Sequence, residues 1–77
     1  MMVDFQYELD ARGKRCPTPV KETKKLLHKM SRNDVLHIMA TDPTSEQDLA
    51  ILLGVIKDEL LESCRENGVY HYYIRKK

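Results

Sequence analysis

The stretch LDARGKRCPTPVKETKKLL (Leu9–Leu27) carries the chain from the end of a strand, through a short basic loop, into a helix. Upstream of it, Val3, Phe5, Tyr7 and Leu9 alternate with Asp4, Gln6, Glu8 and Asp10, a period of two that predicts a half-buried strand. Downstream, Val20, Leu26, Leu27 and Met30, with Thr23 between them, recur at helical spacing from Pro17 to Met30. Lys21, Lys24, Lys25 and Lys29 then fall on the outer face.

The rest of the chain continues the alternation of strand and helix. Ser31 to Asp34 is a polar break, and VLHIMAT (Val35–Thr41) is nearly continuous apolar sequence, as in a central strand covered on both sides. Asp42-Pro43 ends it. Thr44 and Gln47 have capping-box spacing, and Leu49, Leu52, Leu53, Ile56 and Leu60 continue a second helix. That helix is expected to end near Asp58–Leu60, with a strand over Leu61–Glu66. Asn67-Gly68 is a strong two-residue hairpin signal before the β-forming VYHYYIR (Val69–Arg75).

The order is therefore β-α-β-α-β-β, with each helix crossing over right-handed between strands of one sheet. It predicts an α/β (α+β) two-layer sandwich, with both helices on one face of a four-stranded mixed sheet. At 77 residues the chain is expected to form a single domain, 1–77. Folding at this size buries only about 60–65% of the unfolded surface, so the core is thin. No apolar run approaches the roughly 18 residues of a membrane span. The start, MMVDFQYELD, has neither a basic nor an apolar leader region, so no secretory signal is expected. Two cysteines make no disulfide framework, and a reducing cytoplasm is the expected compartment.

Charge is unevenly spread. Residues 12–32 hold eight basic groups against Glu22, for +7, and residues 42–66 hold seven acids against Lys57 and Arg65, for −5. One thiol, Cys16, lies at the basic end. Such a surface is either a pair of solvated helix faces or a docking site for an acidic partner or phosphate backbone.

The chemistry concentrates at Cys16. A residue before proline is pushed toward extended geometry, so Cys16 reads as an N-cap, with Pro17 at the first helical position and Pro19 at the third. The Thr18 and Val20 amides remain free to point at the sulfur. The helix N-terminus acts as roughly half a positive charge, and Arg12, Lys14 and Arg15 add full charges. All favour thiolate over thiol, so a lowered pKa is expected at Cys16. Thioredoxin-like exchange lacks a local partner, because Pro19 stands where a C-x-x-C motif has its second cysteine. A Cys–His acyl-transfer pair lacks a nearby base: His28 is one helix length away, and His37 and His71 fall on predicted strands. What remains is a one-thiol carrier that picks up a group, holds it and passes it on.

LDARGKRCPTPV, the basic helix, VLHIMATDPTSEQDL and NGVYHYYIRKK together resemble the TusA/SirA family of small sulfur carriers, from about Tyr7 to Lys77. The resemblance implies a βαβαββ two-layer fold, a TusA-like domain with no cofactor. It implies that Cys16 accepts sulfane sulfur as a persulfide from a cysteine desulfurase or another donor protein and relays it to a downstream acceptor protein. In one branch the sulfur ends in the 2-thiouridine of tRNA; others resemble sulfur-oxidation or molybdenum-cofactor supply. Motif positions map onto Asp10, Gly13, Cys16, Pro17 and Pro19, and more loosely onto Asp42, Pro43 and Asp48. Lys14 departs from a position that is often apolar, and Asp48–Gly54 (DLAILLG) departs from a segment that often holds a proline, an aromatic and a second cysteine.

Around catalytic Cys16 the supporting residues are thus Asp10, Arg12, Gly13, Arg15, Pro17, Thr18 and Pro19. Partner docking falls to Lys14, Lys21, Lys24, Lys25, Asp42 and Asp48. Gly13 reads as a positive-φ or plain turn position, and Asp10 as a loop anchor or a solvated strand-end acid. Asp42 and Asp48 read as turn and helix-start groups before a catalytic carboxylate pair. The three histidines have no metal-ligand spacing. Tyr70, Tyr72 and Tyr73 read first as strand formers and second as a base-stacking platform. Competing readings are an RNA-binding module, whose fold is similar to the C-terminal domain of bacterial translation initiation factor three, and a regulatory adaptor without sulfur transfer.

Overall fold

In a computed structural model, which describes residues 4–15 and 18–77, six elements follow in the expected order: β1 (Tyr7–Ala11), α1 (Thr18–Lys29), β2 (Val35–Ala40), α2 (Ser45–Ile56), β3 (Glu59–Glu66) and β4 (Val69–Arg75). The sheet order is β1-β2-β4-β3, which the sequence alone left open. β1 and β2 are parallel, Tyr7 opposite Leu36 through Ala11 opposite Ala40, while β4 runs antiparallel to both β2 and β3. The sheet is therefore mixed, with α1 inside the β1–β2 crossover and α2 inside the β2–β3 crossover.

Both helices pack on one face, where the core is a single cluster. Leu27 and Met30 from α1 and its end meet Leu36, Ile38 and Ala40 of β2, Leu49 and Leu52 of α2, and Tyr72 and Ile74 of β4. The helical stripe of α1 is carried by buried Pro19, Thr23 and Leu27. Thr23 is a polar residue in that stripe, and its hydroxyl is satisfied by donating to the Pro19 carbonyl at 2.7 Å. His28 and Lys29 in the last turn complement the helix dipole.

β2 is covered on both sides, but by different means. Leu36, Ile38 and Ala40 face the helices. On the opposite face His37 is only 6% exposed, because Tyr73 stacks on it at 4.5 Å and Phe5 leans on it at 4.9 Å. The His37 ring also bonds to Glu8 Oε2 through Nδ1 (3.1 Å) and to His71 Nδ1 through Nε2 (2.9 Å). One buried imidazole thus ties β1, β2 and β4 together on the side no helix protects.

Several boundaries differ from those expected. The alternation predicts a first strand over Val3–Asp10, whereas β1 runs Tyr7–Ala11, with Val3 outside the described residues. Its one partner among the described residues, β2, begins at Val35, and the chain before that is a turn with Asn33 at φ 74°. Gln6 marks the limit: its N–H donates to the Val35 carbonyl, and its side-chain oxygen accepts the Val35 N–H. α2 ends at Ile56, earlier than expected, because Lys57 turns left-handed (φ 66°) and returns its N–H to the Leu53 carbonyl. Leu60 therefore belongs to β3, which begins at Glu59 instead of Leu61. The expected Thr44–Gln47 capping box does not form: Thr44 makes no side-chain cap bond, because Asp42 Oδ1 takes both its N–H (2.9 Å) and its hydroxyl (2.8 Å). The hairpin is as expected, with Asn67 and Gly68 both at positive φ (52° and 79°), the signature of a type I′ turn. Of the three strand tyrosines, Tyr72 and Tyr73 are buried and Tyr70 is half-buried, and the Tyr72 hydroxyl bonds to buried Ser45 Oγ at 2.8 Å.

Ile38 is fully buried at the centre of the cluster. Ile38→Ala is expected to cost about 3 kcal/mol in urea unfolding, and Tyr72→Phe, which leaves the Ser45 hydroxyl without its partner, about 1 kcal/mol. A loss of stability in Tyr72→Phe as large as that in Ile38→Ala would contradict this ranking.

Candidate functional site

The parallel pairing of β1 and β2 ends at Ala11 opposite Ala40, both fully buried. Their two carboxyl-terminal loops therefore leave the sheet side by side. The first runs through residues 12–15 toward α1, and the second through residues 41–44 toward α2. Gly13, Lys14 and Arg15 from one loop and Thr41, Asp42 and Pro43 from the other line a hollow of about 240 Å³. The carboxyl ends of parallel strands are where α/β folds commonly place their ligands.

Each expected supporting residue has a defined place, apart from Cys16 and Pro17, which lie outside the described residues. Asp10 is the anchor of the first loop. It accepts the Arg12 N–H at 3.1 Å and forms a two-pronged ion pair with Arg12 Nε and Nη2, each at 2.9 Å. Those side-chain bonds hold the Asp10 carboxyl down at about 2. Gly13 has φ 80°, in the left-handed region, as the tight turn closed by Lys14 N–H to the Ala11 carbonyl (3.2 Å) requires. The Thr18 N–H donates to the Arg15 carbonyl at 2.9 Å, which pins the chain on both sides of the Cys16-Pro17 pair. Pro19 is buried under the first turn of α1.

The three loop cations are not equivalent. Arg12 is committed to Asp10, and Lys14 Nζ is held by both oxygens of Glu22 at 2.8 and 3.0 Å. Arg15 is exposed and makes no ion pair among the described residues. The positive field expected from three full charges is therefore mainly that of Arg15 and the start of α1. Lys14, expected among the docking groups, is still partly exposed and links loop and helix through this ion pair. Lys21, Lys24 and Lys25 are exposed along α1, as expected of docking groups.

Asp42 accepts from Thr44 twice and organises the turn into α2, where its carbonyl also accepts the Ser45 N–H at 3.0 Å. Asp48 is half-buried one turn into α2, 3.4 Å from the Thr44 hydroxyl. It lines an apolar groove with Val20, Lys24, Ile51, Leu52, Val55 and Ile56, so α1 and α2 share one exposed groove. Cys64 is exposed on β3, at the far edge of the sheet from β1, opposite His71.

Sequence reasoning missed two partners of the loop. Thr41 Oγ1 accepts the Gly13 N–H at 2.9 Å across 28 residues, and Glu22 holds Lys14. Glu22 was visible as the lone acid in a basic stretch; Thr41 carried no signal beyond being the first polar residue after an apolar strand.

The sequence matches the family model described as Sulfurtransferase TusA over residues 7–76. It is 45% identical to the Sulfur carrier protein TusA of Allochromatium vinosum over 75 residues, 97% of this chain and 99% of that one. It is 39% identical to the Sulfur carrier protein TusA of Pseudomonas entomophila over 78 residues, 99% of this chain and 98% of that one. Its fold matches the crystal structure of a SirA-like protein from Desulfitobacterium hafniense with a TM-score of 0.81 and 26% identity, covering 91% of this chain and 96% of that one.

The Asp10 carboxyl is expected to titrate at about 2 by NMR in the native protein and to return toward the ordinary value near 3.9 in Arg12→Ala. A depressed carboxylate stabilises the fold when ionised, so its contribution is present above about pH 4 and is lost as pH falls through about 2. An Asp10 titration unchanged by Arg12→Ala would contradict the assignment.

Proposed function

We propose that this chain, which belongs to the TusA family of sulfurtransferases and sulfur carriers, carries sulfane sulfur on Cys16. The Cys16 thiolate attacks the outer sulfur of a persulfide on a cysteine desulfurase-type donor. A sulfur–sulfur bond forms at Cys16, the donor's sulfur–sulfur bond breaks, and the donor cysteine leaves as a thiolate. The same exchange in reverse sense, with a thiolate on an acceptor protein, passes the sulfur on. The balance needs no cofactor and no second cysteine in this chain.

The observation that carries this reading is the placement of the loops. The segment Arg12–Arg15 is held at the carboxyl edge of two parallel strands, and the chain is pinned again at Thr18 by its bond to Arg15. In the sequence Cys16 follows Arg15, which makes no ion pair among the described residues, and precedes the first turn of α1. Both favour a thiolate. The exposed Lys21, Lys24 and Lys25 supply a surface for fast, reversible encounters with acidic partner surfaces, which suits a carrier that visits two proteins in turn. Transfer to a tRNA-thiolating acceptor, ending in 2-thiouridine, is the route that this positive face suits best. Tyr72 and Tyr73 are buried and so offer little surface for stacking bases, while the half-buried Tyr70 lies against Arg65.

Incubation with a cysteine desulfurase and cysteine is expected to add one sulfur atom, by intact mass, to wild type and to Cys64→Ser, but not to Cys16→Ser. Equal loading of Cys16→Ser would overturn the proposal. Reversal of Lys21, Lys24 and Lys25 to Glu is expected to slow loading by about tenfold at low salt, with the difference shrinking as salt rises; loading independent of both charge and salt would exclude docking through α1.

A further inference from the structure

The parallel ladder between β1 and β2 stops at the Ala11–Ala40 pair, and beyond it the two chains separate toward different helices. One contact carries the pairing a step further. The Gly13 N–H, turned outward by the residue's left-handed φ of 80°, donates to Thr41 Oγ1 at 2.9 Å. Gly13 and Thr41 are both exposed, and both line the hollow shared with Lys14, Arg15, Asp42 and Pro43. An exposed amide released from such a bond finds water at once, so the bond adds little to global stability. Its consequence is positional: it sets where residues 13–15 leave β1 relative to the Asp42 turn, three residues before the thiol.

From this geometry we infer that Thr41 is a positioning residue for sulfur transfer: its hydroxyl, through Gly13, fixes the course of the residue 12–15 loop that leads to Cys16. The inference rests on the Cys16 carrier reading. Threonine is suited to the task because its hydroxyl offers an acceptor at a strand end while its β-branch restricts the rotamer that presents it. Valine has the same shape without the acceptor, and serine keeps the acceptor without the methyl.

The test compares Thr41→Val, Thr41→Ser and Cys16→Ser for the rate of loading by a cysteine desulfurase, for hydrogen exchange of the Gly13 amide and for thermal unfolding. Thr41→Val is expected to expose the Gly13 amide to faster exchange and to slow loading about tenfold, as a displaced reacting group does, with an unchanged melting temperature. Thr41→Ser is expected to load at nearly the wild-type rate. Wild-type loading by Thr41→Val, or Gly13 exchange unaffected by it, would overturn the role of Thr41 while leaving the carrier reading intact. Equal slowing in Val and Ser variants with lowered melting temperatures would reduce Thr41 to a structural part and also overturn the inference. Loading of Cys16→Ser would overturn the carrier reading and the inference with it.

Discussion

The parallel pairing of β1 with β2 is the constraint from which the site follows. Ala11 and Ala40, both fully buried, close that ladder at its carboxyl end. Any larger side chain at either position would press into the helices above or push the strands apart. Because the strands end together, the loops after them emerge as neighbours, although 28 residues separate Gly13 from Thr41. An antiparallel pairing would have sent those loops to opposite ends of the sheet. The basic loop, the start of α1 and the Asp42 turn would then share no surface.

The sheet divides into a helix-covered apolar face and an opposite face that holds polar and aromatic groups. The helix-facing cluster depends on apolar burial, which is non-directional and tolerant. The opposite face relies on one buried imidazole, His37, whose two nitrogens are both engaged and whose ring lies under Tyr73. A polar group so placed is worth keeping only while its partners remain, so this face specifies strand register as much as stability. The loops of the candidate site lie at neither face but at the rim where β1 and β2 end, fixed by side-chain and turn bonds. Asp10 with Arg12, Glu22 with Lys14, and Thr41 with Gly13 all hold exposed groups. Rims of this kind cost the fold little when altered, and so can be tuned for partner recognition.

The elements legible in the sequence were those whose cues are local. The stripe of α1, the apolar run of β2 and the Asn67-Gly68 turn each depend on neighbours within a few residues. The errors arose where a second local group competed or a distant one decided. Thr44 has the spacing of a helix cap, yet the Asp42 carboxylate two residues earlier captures its hydroxyl and its amide. Leu60 fits the helical period of α2, yet Lys57 has already turned left-handed. The first strand alternates from Val3, yet its partner begins only at Val35, and an edge strand extends no further than what it pairs with. At the candidate site, the loop anchor Asp10 and the positive-φ Gly13 were legible in the sequence, while Cys16 and Pro17 lie outside the described residues. Which cations remain free was not, because pairing of Lys14 with Glu22 depends on the angle between loop and helix.

The family assignment and the fold support a sulfur carrier, the proposal places its work on Cys16, and the chain contains its own internal comparison. Cys64 is exposed on β3, away from the start of α1 and from the basic loop. Competitive alkylation of the native protein at neutral pH, with each cysteine's modification followed by peptide mass mapping, measures the two thiols under identical conditions. The account predicts that Cys16 is modified well before Cys64, and that its lead disappears when the protein is unfolded in urea. Equal rates in the native protein, or Cys64 reacting first, would contradict it.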